Sequence, residues 1–345
     1  MQLIELHILQ SFPVSCLNRD DVGAPKTAVF GGCSRARISS QCLKRAARLH
    51  AQEISPRFKG TRTRFLPPLF VAALMKAGME ETEAAKASTA ICELFSKKDA
   101  KKADQVTTAV FLSPKEIDQI SEQVAAGVDP KKAIKQANRL DAADISLFGR
   151  MVANDASLNV EGAAMFSHAL STHKAANEVD FYSSVDDYKR GDAENEDAGA
   201  GMIGTLEYTS AVYYRYVALN LDMLLDDAHL APLTSEERKE VVAAFLKAAV
   251  MAVPGARKNS MNANTLPVEV LAVYKSGGQP IQLVNAFEKP VKPKAGEGLV
   301  QPSIEAMAAE LENLKKLWGV KHDEEIRLSE QGLQDLLEGM LRHVN

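Results

Sequence analysis

The feature that most constrains the fold is a sixteen-residue stretch, residues 206–221, which reads LEYTSAVYYRYVALNL. Aromatic and β-branched side chains recur along it, which is typical of a β-strand, and no other stretch indicates a strand as clearly. A second strand is expected over residues 2–11, where five of the ten residues are leucine or isoleucine. The sequence therefore predicts strands near the start of the chain and beyond its middle.

Helices are expected between and after these strands. Residues 67–145 are rich in Ala, Glu and Lys and are broken at prolines, glycines and polar steps, with helix starts at Pro67, Glu80, Pro114 and Pro130. The remaining expected elements are a helix from Ser39 or Ser40 to about residue 53, a helix from Ser235 to about Val253 that is capped by the sequence TSEE, strands over 267–274 and 281–287, and helices near 302–318 and 329–343.

This order of elements predicts an α+β fold, a ferredoxin-like domain with a large helical insertion. Residues 183–204 fit neither a helix nor a strand. They hold four glycines and six acidic residues against two basic ones, so they can bury little apolar surface and should form a mobile loop.

The charge is distributed unevenly along the chain. Residues 1–64 contain eleven Lys or Arg and four acidic residues, a net charge of +7, whereas the whole chain carries −4. The rest of the chain therefore carries −11. Such asymmetry indicates a polyanionic partner for one region, although a basic surface can also be merely solvated.

The sequence gives no sign of export or of a membrane segment. The four cysteines, Cys16, Cys33, Cys42 and Cys92, form no CxxC pair, which fits a reducing cytoplasm. The N-terminus lacks the basic region of a signal peptide. The longest apolar run, LPPLFVAALM, is well short of the roughly 20 residues that span a bilayer. We expect a soluble cytoplasmic protein with no membrane partner.

The positive charge is concentrated in residues 30–48, FGGCSRARISSQCLKRAAR. On a helix that begins near Ser40, a stripe about 100° wide is formed by Gln41, Lys44, Arg45 and Arg48. The opposite side, which would be buried, carries Leu43, Ala46, Ala47 and His50. Just upstream, an extended backbone would place Arg35, Arg37 and Ser39 on one face. A phosphate could be bound here by free N–H groups at the helix start, by the cap hydroxyls and by these cations. A solvated basic face is the alternative.

A second basic stripe, Lys131, Lys132 and Lys135, follows an expected Asp129–Pro130 helix start and indicates an ordinary amphipathic helix. No catalytic or metal site is expected. His168 and His173 are five residues apart and do not share a helix face. Side chains of the adjacent pairs Asp20–Asp21 and Asp186–Asp187 diverge. No phosphate-binding loop, GxSxG or HExxH motif occurs, and we expect no cofactor.

Several motifs resemble one known family. The stretches SCLNRDD, AVFGG, RARISSQCLKRA, LFGRMVAND, MFSHALSTH, VDFYSSVDD, YTSAVYYRYVALNL, VPGARK, VNAFEKPV and LVQPSI occur in order. They are similar to the backbone subunit of the type I-E CRISPR Cascade complex, the CasC family. The resemblance covers most of the chain except residues 54–144 and about the last forty.

The resemblance implies an RRM-like palm, a helical fingers domain and a thumb loop. The palm would comprise 1–53, 146–173 and 207–345, the last with the C-terminal helices; the fingers would be 54–145 and the thumb 174–206. It implies a non-catalytic subunit that polymerises along the spacer of a CRISPR RNA. Implied partners are that RNA, the target DNA strand paired to it, further copies of the chain, other Cascade subunits and a helicase-nuclease that the complex recruits.

The resemblance also implies binding residues. Those matching RNA-binding positions of the family are Arg19, Lys26, Ser39, Gln41, Lys44, Arg48, Met151, Tyr182 and Ser183. We add Ser40 and Arg45 from the cap and stripe of the basic helix. The match implies that Lys131, Lys132 and Lys135 touch target DNA. Cys33 stands where a basic residue is expected, and Tyr182 where Phe is expected.

Two other functions remain open from the sequence. An RNA-processing endonuclease on the same scaffold would need a general base beside the basic helix, and His50 is the nearby candidate. In an RNA-independent scaffold protein, the basic stripe would be only a solvated surface.

Overall fold

The computed structural model of the chain describes residues 1–185, 200–293 and 296–345. Its strands are β1 (Leu3–Ser15), β2 (Thr27–Phe30), β3 (Cys33–Ile38), β4 (Thr61–Thr63), β5 (Val110–Leu112), β6 (Ala164–Phe166), β7 (Ala169–Ser171), β8 (Glu178–Val185), β9 (Ala200–Asn220), β10 (Glu269–Lys275) and β11 (Glu324–Arg327). Its helices are α1 (Ser40–Ile54), α2 (Leu66–Lys76), α3 (Glu81–Phe95), α4 (Pro114–Ala125), α5 (Pro130–Gln136), α6 (Ala143–Phe148), α7 (Leu221–Leu224), α8 (Ser235–Met251), α9 (Lys258–Met261), α10 (Val300–Trp318) and α11 (Leu328–Leu341).

Within the described residues, nine strands form one sheet whose paired strands are all antiparallel. Its main order is β11-β10-β1-β9-β7-β3-β2, and β6 and β8 pair with other parts of β9. β1 lies between β9 and β10, with Leu3 opposite both Asn220 and Lys275. The predicted α+β class is thus confirmed as a mixed fold with helices on an antiparallel sheet.

Both faces of β1 are buried, and apolar residues of β1 pack on each face. Ile4, Leu6 and Ile8 pack in the core that α8 and α11 share. On the other face, Leu9 packs with Met307 and Leu311 of α10. The sheet therefore lies between α8 and α11 on one face and α10 on the other.

The face toward α10 also buries polar groups. Lys275 Nζ lies 2.5 Å from Glu5 Oε2, and Tyr214 Oη lies 2.9 Å from His7 Nδ1. Burial lowers the pKa of His7 to about 3, so this imidazole is neutral. These groups satisfy one another inside the fold, as buried polar groups must.

Residues 66–158 have an apolar core of their own, in which Phe70, Phe95 and Ile120 are buried. The observed helix starts at Leu66, Glu81, Pro114 and Pro130 agree closely with the prediction. The prediction of a largely helical 67–145 was wrong for residues 96–112, however, where an irregular segment leads into β5 and β5 pairs with β4.

The ends of several elements follow the sequence signals. Ser39, one of the two serines predicted for this position, caps α1. Thr234 and Glu237 form a capping box at the start of α8. The strands over 2–11, 206–221 and 267–274 and the two C-terminal helices are confirmed.

Two further predictions of local structure were wrong, one of them in part. No strand forms over 281–287; a single turn of 3₁₀ helix covers Val284–Phe287. Backbone N–H groups just before this turn donate to side chains and not to a neighbouring strand. Ile281 donates to the Glu5 carboxylate, and Leu283 donates to the Tyr214 hydroxyl. The mobile loop expected over 183–204 is also partly wrong, since residues 183–185 and 200–204 lie in the paired strands β8 and β9. Residues 186–199 lie outside the described residues.

Candidate nucleic-acid interface

The start of α1 is held by the loop that precedes β2. The Ser39 side chain accepts a hydrogen bond from the Cys42 N–H at 3.3 Å, and the Ser39 N–H donates to Asn18 Oδ1 at 2.8 Å. The Asn18 carbonyl accepts from the Lys26 N–H at 2.9 Å. Asn18 therefore places the loop containing Arg19 and Lys26 beside the basic helix, a role that sequence reasoning missed.

The expectation of free N–H groups at this helix start was wrong for two of the first residues. Cys42 donates to the cap, and the Ser40 N–H donates to His168 Nδ1 at 3.0 Å. Since these donors are already used, side chains must supply most of any anion binding here.

The stripe on α1 is formed, but its members differ in exposure. Gln41 and Arg45 are exposed, whereas Lys44 and Arg48 are half-buried. On the opposite side Leu43 and Ala47 are buried, as predicted. Ala46 and His50 are not core residues; they are half-buried and line a groove, because the segment that follows α8 lies opposite them across that groove.

Lys44 and Arg45 are cations without a carboxylate partner within 4.0 Å among the described residues. Lys44 Nζ lies over the Phe166 ring, 5.9 Å from its centroid, and burial lowers its pKa. A half-buried ammonium that lacks an anion is electrostatically favoured to acquire one. This pair is the part of the stripe most open to an anionic ligand.

Arg48 is different because it already has partners. Its Nη1 donates to the Gly60 carbonyl at 3.2 Å and lies 4.0 Å from Asp144 Oδ2, and its guanidinium lies 5.3 Å from the centroid of the Phe111 ring. Arg48 thus connects α1 to the strands and helix that follow it. It keeps 17% of its side chain exposed, which leaves one edge for a ligand.

Asp144 is the buried carboxylate beneath this arginine. Burial raises its pKa to about 6, even though the Gly60 N–H at 3.1 Å, Arg48 and Gln52 favour the ionised form. The folded state therefore binds this proton more tightly than the unfolded chain, whose aspartates titrate near pH 3.9. The stabilisation is fully present below about pH 4 and is lost as the pH rises through 6.

We expect Asp144→Asn to remove this pH dependence. Relative to the wild type, the variant's free energy of unfolding should rise by about 2–3 kcal/mol between pH 4 and pH 7, because each tenfold difference in proton affinity between the folded and unfolded states corresponds to about 1.4 kcal/mol. Urea denaturation of both proteins across this range measures it, with Asp118→Asn on α4 as the control. Parallel pH profiles for wild type and Asp144→Asn would contradict the assignment.

A groove of about 1170 Å³ opens beside the stripe. Predicted residues Arg19 and Arg45 both line it, opposite Lys258, Asn262 and Asn264. Acidic residues line it as well, namely Asp20, Asp21 and Glu53. Asp20 is occupied, since its Oδ1 accepts from the N–H groups of Val22 and Ala24, and Glu53 Oε2 lies 3.4 Å from His50 Nδ1. The groove therefore joins two predicted binding residues that are 26 positions apart.

Arg62 extends the positive surface and was not predicted. It is an exposed residue of β4. Burial lowers the pKa of Arg48, Asp144 opposes this, and the nearby charges of Arg45 and Arg62 lower it further. Arg62 therefore lies close enough to Arg48 for their charges to interact. We call Lys26, Lys44, Arg45, Arg48 and Arg62 the cationic surface.

Arg35 does not share a binding face with Arg37 and Ser39, so that expectation was wrong. Its side chain is fully buried and donates to the carbonyls of Phe30, Ser171, Phe287 and Glu288 at 2.7–3.2 Å. Arg37 is half-buried and donates to the Thr27 carbonyl. Arg35 serves the fold and is not available to a ligand.

Tyr182 and Ser183 lie on β8, in the hairpin that β8 and β9 form. Both are exposed, and Tyr182 pairs with Gly204. The tyrosine ring covers this glycine so closely that an added Cβ would lie 2.6 Å from the hydroxyl. At the base of the hairpin, Asn177 donates to the Pro25 carbonyl at 3.2 Å. The hairpin therefore starts next to Lys26.

The other predicted residues lie on different elements. Met151 is 81% exposed and follows the buried pair Arg150–Glu116. Lys131, Lys132 and Lys135 are exposed on α5, which packs against α3 and α4. Lys131 Nζ lies 3.9 Å from Asp155 Oδ2. Their exposure permits nucleic-acid contact, and their binding stays a prediction.

Neither a metal cluster nor a membrane span is found in the part of the chain that the structure describes. No group of three or more His, Cys, Asp or Glu there could hold a metal ion, and no helix there has both the length and the apolarity to cross a bilayer. Asp186 and Asp187 lie outside those residues.

Comparison with known proteins assigns the chain to a family. A family model described as CT1975-like protein matches residues 4–339. The chain belongs to the CT1975-like family. The search of curated proteins finds no match. This member of the family is 25% identical to a chain of a solved "CRISPR RNA-guided surveillance complex, pre-nicking", with a TM-score of 0.81 and 99% of both chains covered.

A second solved structure, "CRISPR RNA-guided surveillance complex", gives 24% identity and a TM-score of 0.63, covering 99% of this chain and 98% of that one; it supports the fold alone. The structural similarity also covers residues 54–144, the helical region that contains none of the family motifs. The resemblance drawn from the sequence is thus confirmed at the level of chains of CRISPR surveillance complexes.

Proposed function

We propose that the chain is a non-catalytic, CRISPR RNA-binding backbone subunit of a type I-E Cascade complex, a member of the CasC group, and that several copies polymerise along the spacer. The observation that carries the proposal is the pair Lys44 and Arg45. These cations lack a carboxylate partner among the described residues and lie on a chain whose fold matches a surveillance-complex chain over 99% of its length.

The arrangement suits recognition that does not depend on base sequence. Lysine and arginine side chains bind phosphates, and the Ser40 hydroxyl and Gln41 can bind phosphate or ribose oxygens; Ser39 is buried and caps the helix. Base edges stay free to pair with a target, as a guide for any spacer requires. Binding through phosphates should be strongly salt-dependent, and contacts between neighbouring copies should make it cooperative.

The remaining assignments belong to the same proposal. The sheet with α1 and α8 would be the RRM-like palm, residues 54–145 the fingers and residues 174–206 the thumb. The separate apolar core of residues 66–158 supports a fingers unit. Tyr182 would stack on a displaced base, worth about 1–3 kcal/mol. Lys131, Lys132 and Lys135 would touch target DNA, and cleavage would be left to a recruited helicase-nuclease.

The position of His50 argues against the endonuclease alternative. His50 Nδ1 faces Glu53 at 3.4 Å, so Nε2 would have to serve as the general base. That nitrogen is buried and has no hydrogen-bond partner among the described residues. It cannot reach a ribose hydroxyl without rearrangement. Specific cleavage of repeat-containing RNA that His50→Ala removes would restore the endonuclease alternative.

Coexpression tests the proposal directly. The full chain is expressed with partner subunits, with and without a CRISPR array, and its absorbance ratio at 260 and 280 nm is measured after size exclusion. We expect a large, nucleic-acid-rich species that contains RNA of defined length only when the array is present. An RNA-free monomer under both conditions would refute the proposal and favour the RNA-independent scaffold.

A further inference from the structure

His168 lies in the connection between β6 and β7 and is exposed. Its Nδ1 is 3.0 Å from the backbone nitrogen of Ser40. A backbone N–H can only donate, so Nδ1 is the acceptor and the imidazole carries its hydrogen on Nε2. The contact therefore fixes both the tautomer and the orientation of an exposed ring.

The same connection lies against the first two turns of α1. Phe166 underlies the Lys44 ammonium, while Leu170 and Ala169 pair β7 with Arg37 and Ile38 of β3. His168 is thus held beside Ser40, at the end of α1 from which the cationic surface starts. With Nδ1 occupied, the one hydrogen-bonding group that the ring can still offer is the Nε2–H.

We propose that His168 is a further RNA-contacting residue, whose neutral imidazole donates Nε2–H to a phosphate oxygen of the bound strand. This inference rests on the proposed function. The residue was set aside in the sequence because its spacing from His173 does not suit a metal. The structure shows instead that His173 is buried in the sheet, where its Nε2 accepts from the Val212 N–H, so the two histidines have separate roles.

Two substitutions separate direct contact from support of α1. In His168→Asn the side-chain oxygen can still accept from the Ser40 N–H, but no donor reaches the position of Nε2. His168→Ala removes both groups. We expect both variants to bind a fluorescein-labelled single-stranded RNA of mixed sequence about tenfold more weakly, the effect of losing one hydrogen bond to a charged group. A single-stranded DNA of the same sequence should lose as much, because the contact is to phosphate.

The salt dependence provides a readout that a structural role would not give. Neutral His168 releases no counterion, so the slope of log affinity against log KCl concentration should stay unchanged in both variants. Lys44→Ala should reduce that slope by about 0.7. Thermal unfolding checks that each variant is folded.

Three results would overturn the inference. Wild-type affinity in His168→Asn with weak binding in His168→Ala would mean that the ring only supports α1. A loss on RNA but not on DNA would place the contact at a 2′-hydroxyl. Unchanged binding in both His168 variants while Lys44→Ala binds weakly would remove His168 from the interface. If Lys44→Ala also binds normally, the proposed function itself fails.

Discussion

The double variant Lys44→Ala, Arg45→Ala is expected to stay folded and to lose RNA-dependent assembly. Each substitution removes a charge-assisted contact to phosphate, so a single copy should bind RNA about a hundredfold more weakly. The slope of log affinity against log salt should fall by about 1.4. Since each copy along the RNA carries the same loss, assembly into a long complex should fail.

Arg45 is the better partner for Lys44 in this test than Arg48, although both lie in the stripe. Arg48 also donates to the Gly60 carbonyl and faces Asp144, so its removal would take the cation away from a buried carboxylate and destabilise the fold. Arg45 is exposed and has no such role. Its loss should change the free energy of unfolding by less than about 0.5 kcal/mol.

The matched control is Lys86→Ala, Lys247→Ala. It removes two exposed lysines from α3 and α8, so the net charge changes equally. Size exclusion and anisotropy titrations over a KCl series provide the measurements. Complexes of normal length from Lys44→Ala, Arg45→Ala, or equal losses in the control, would show that the cationic surface does not bind the RNA backbone.

Arg35→Ala is expected to lower the free energy of unfolding by about 4 kcal/mol or more. The substitution removes the donor from four carbonyls, two of which, on Ser171 and Phe287, accept in buried hydrogen bonds, and each buried group left unsatisfied costs about 1–3 kcal/mol. Two of these carbonyls, on Phe287 and Glu288, belong to the segment that packs below α10. The connection between this segment and β3 should therefore be lost.

Urea denaturation measures the effect, and Arg37→Ala is the control two residues away. Arg37 is half-buried and donates to one carbonyl, so its loss should cost about 1 kcal/mol. Arg35→Lys should recover little, because an ammonium cannot reproduce the planar set of donors. An unfolding midpoint in Arg35→Ala equal to that of the wild type would disprove this role.

The start of α1 and its stripe could be predicted because the signals are local. A serine cap and a 3.6-residue period lie within fifteen residues of sequence. The fate of Arg35 could not be predicted, since burial depends on Ser171 and Phe287, more than 130 positions away. The same holds for Arg48, whose partner Asp144 comes from α6.

The incorrect prediction of a strand over 281–287 has a related cause. Leu283 and Phe287 are both buried, and an apolar run of this length fits a strand or a helical turn equally well. What decides between them is a hydroxyl on Tyr214 and a carboxylate on Glu5, which no local pattern contains. Arg62 was missed for the same reason, because only the fold brings it near Arg48.

The anchoring of the hairpin by Asn177 has a consequence for how copies would be spaced. Because Asn177 is tied to Pro25, the distance from Lys26 to Tyr182 is set inside each copy, by five strand residues that span roughly 17 Å. Under the proposed function, this internal distance, and not the nucleotide sequence, would set the length of guide RNA held between one displaced base and the next. Lengthening or shortening β8 and β9 would then change that length of RNA by the same amount for every spacer.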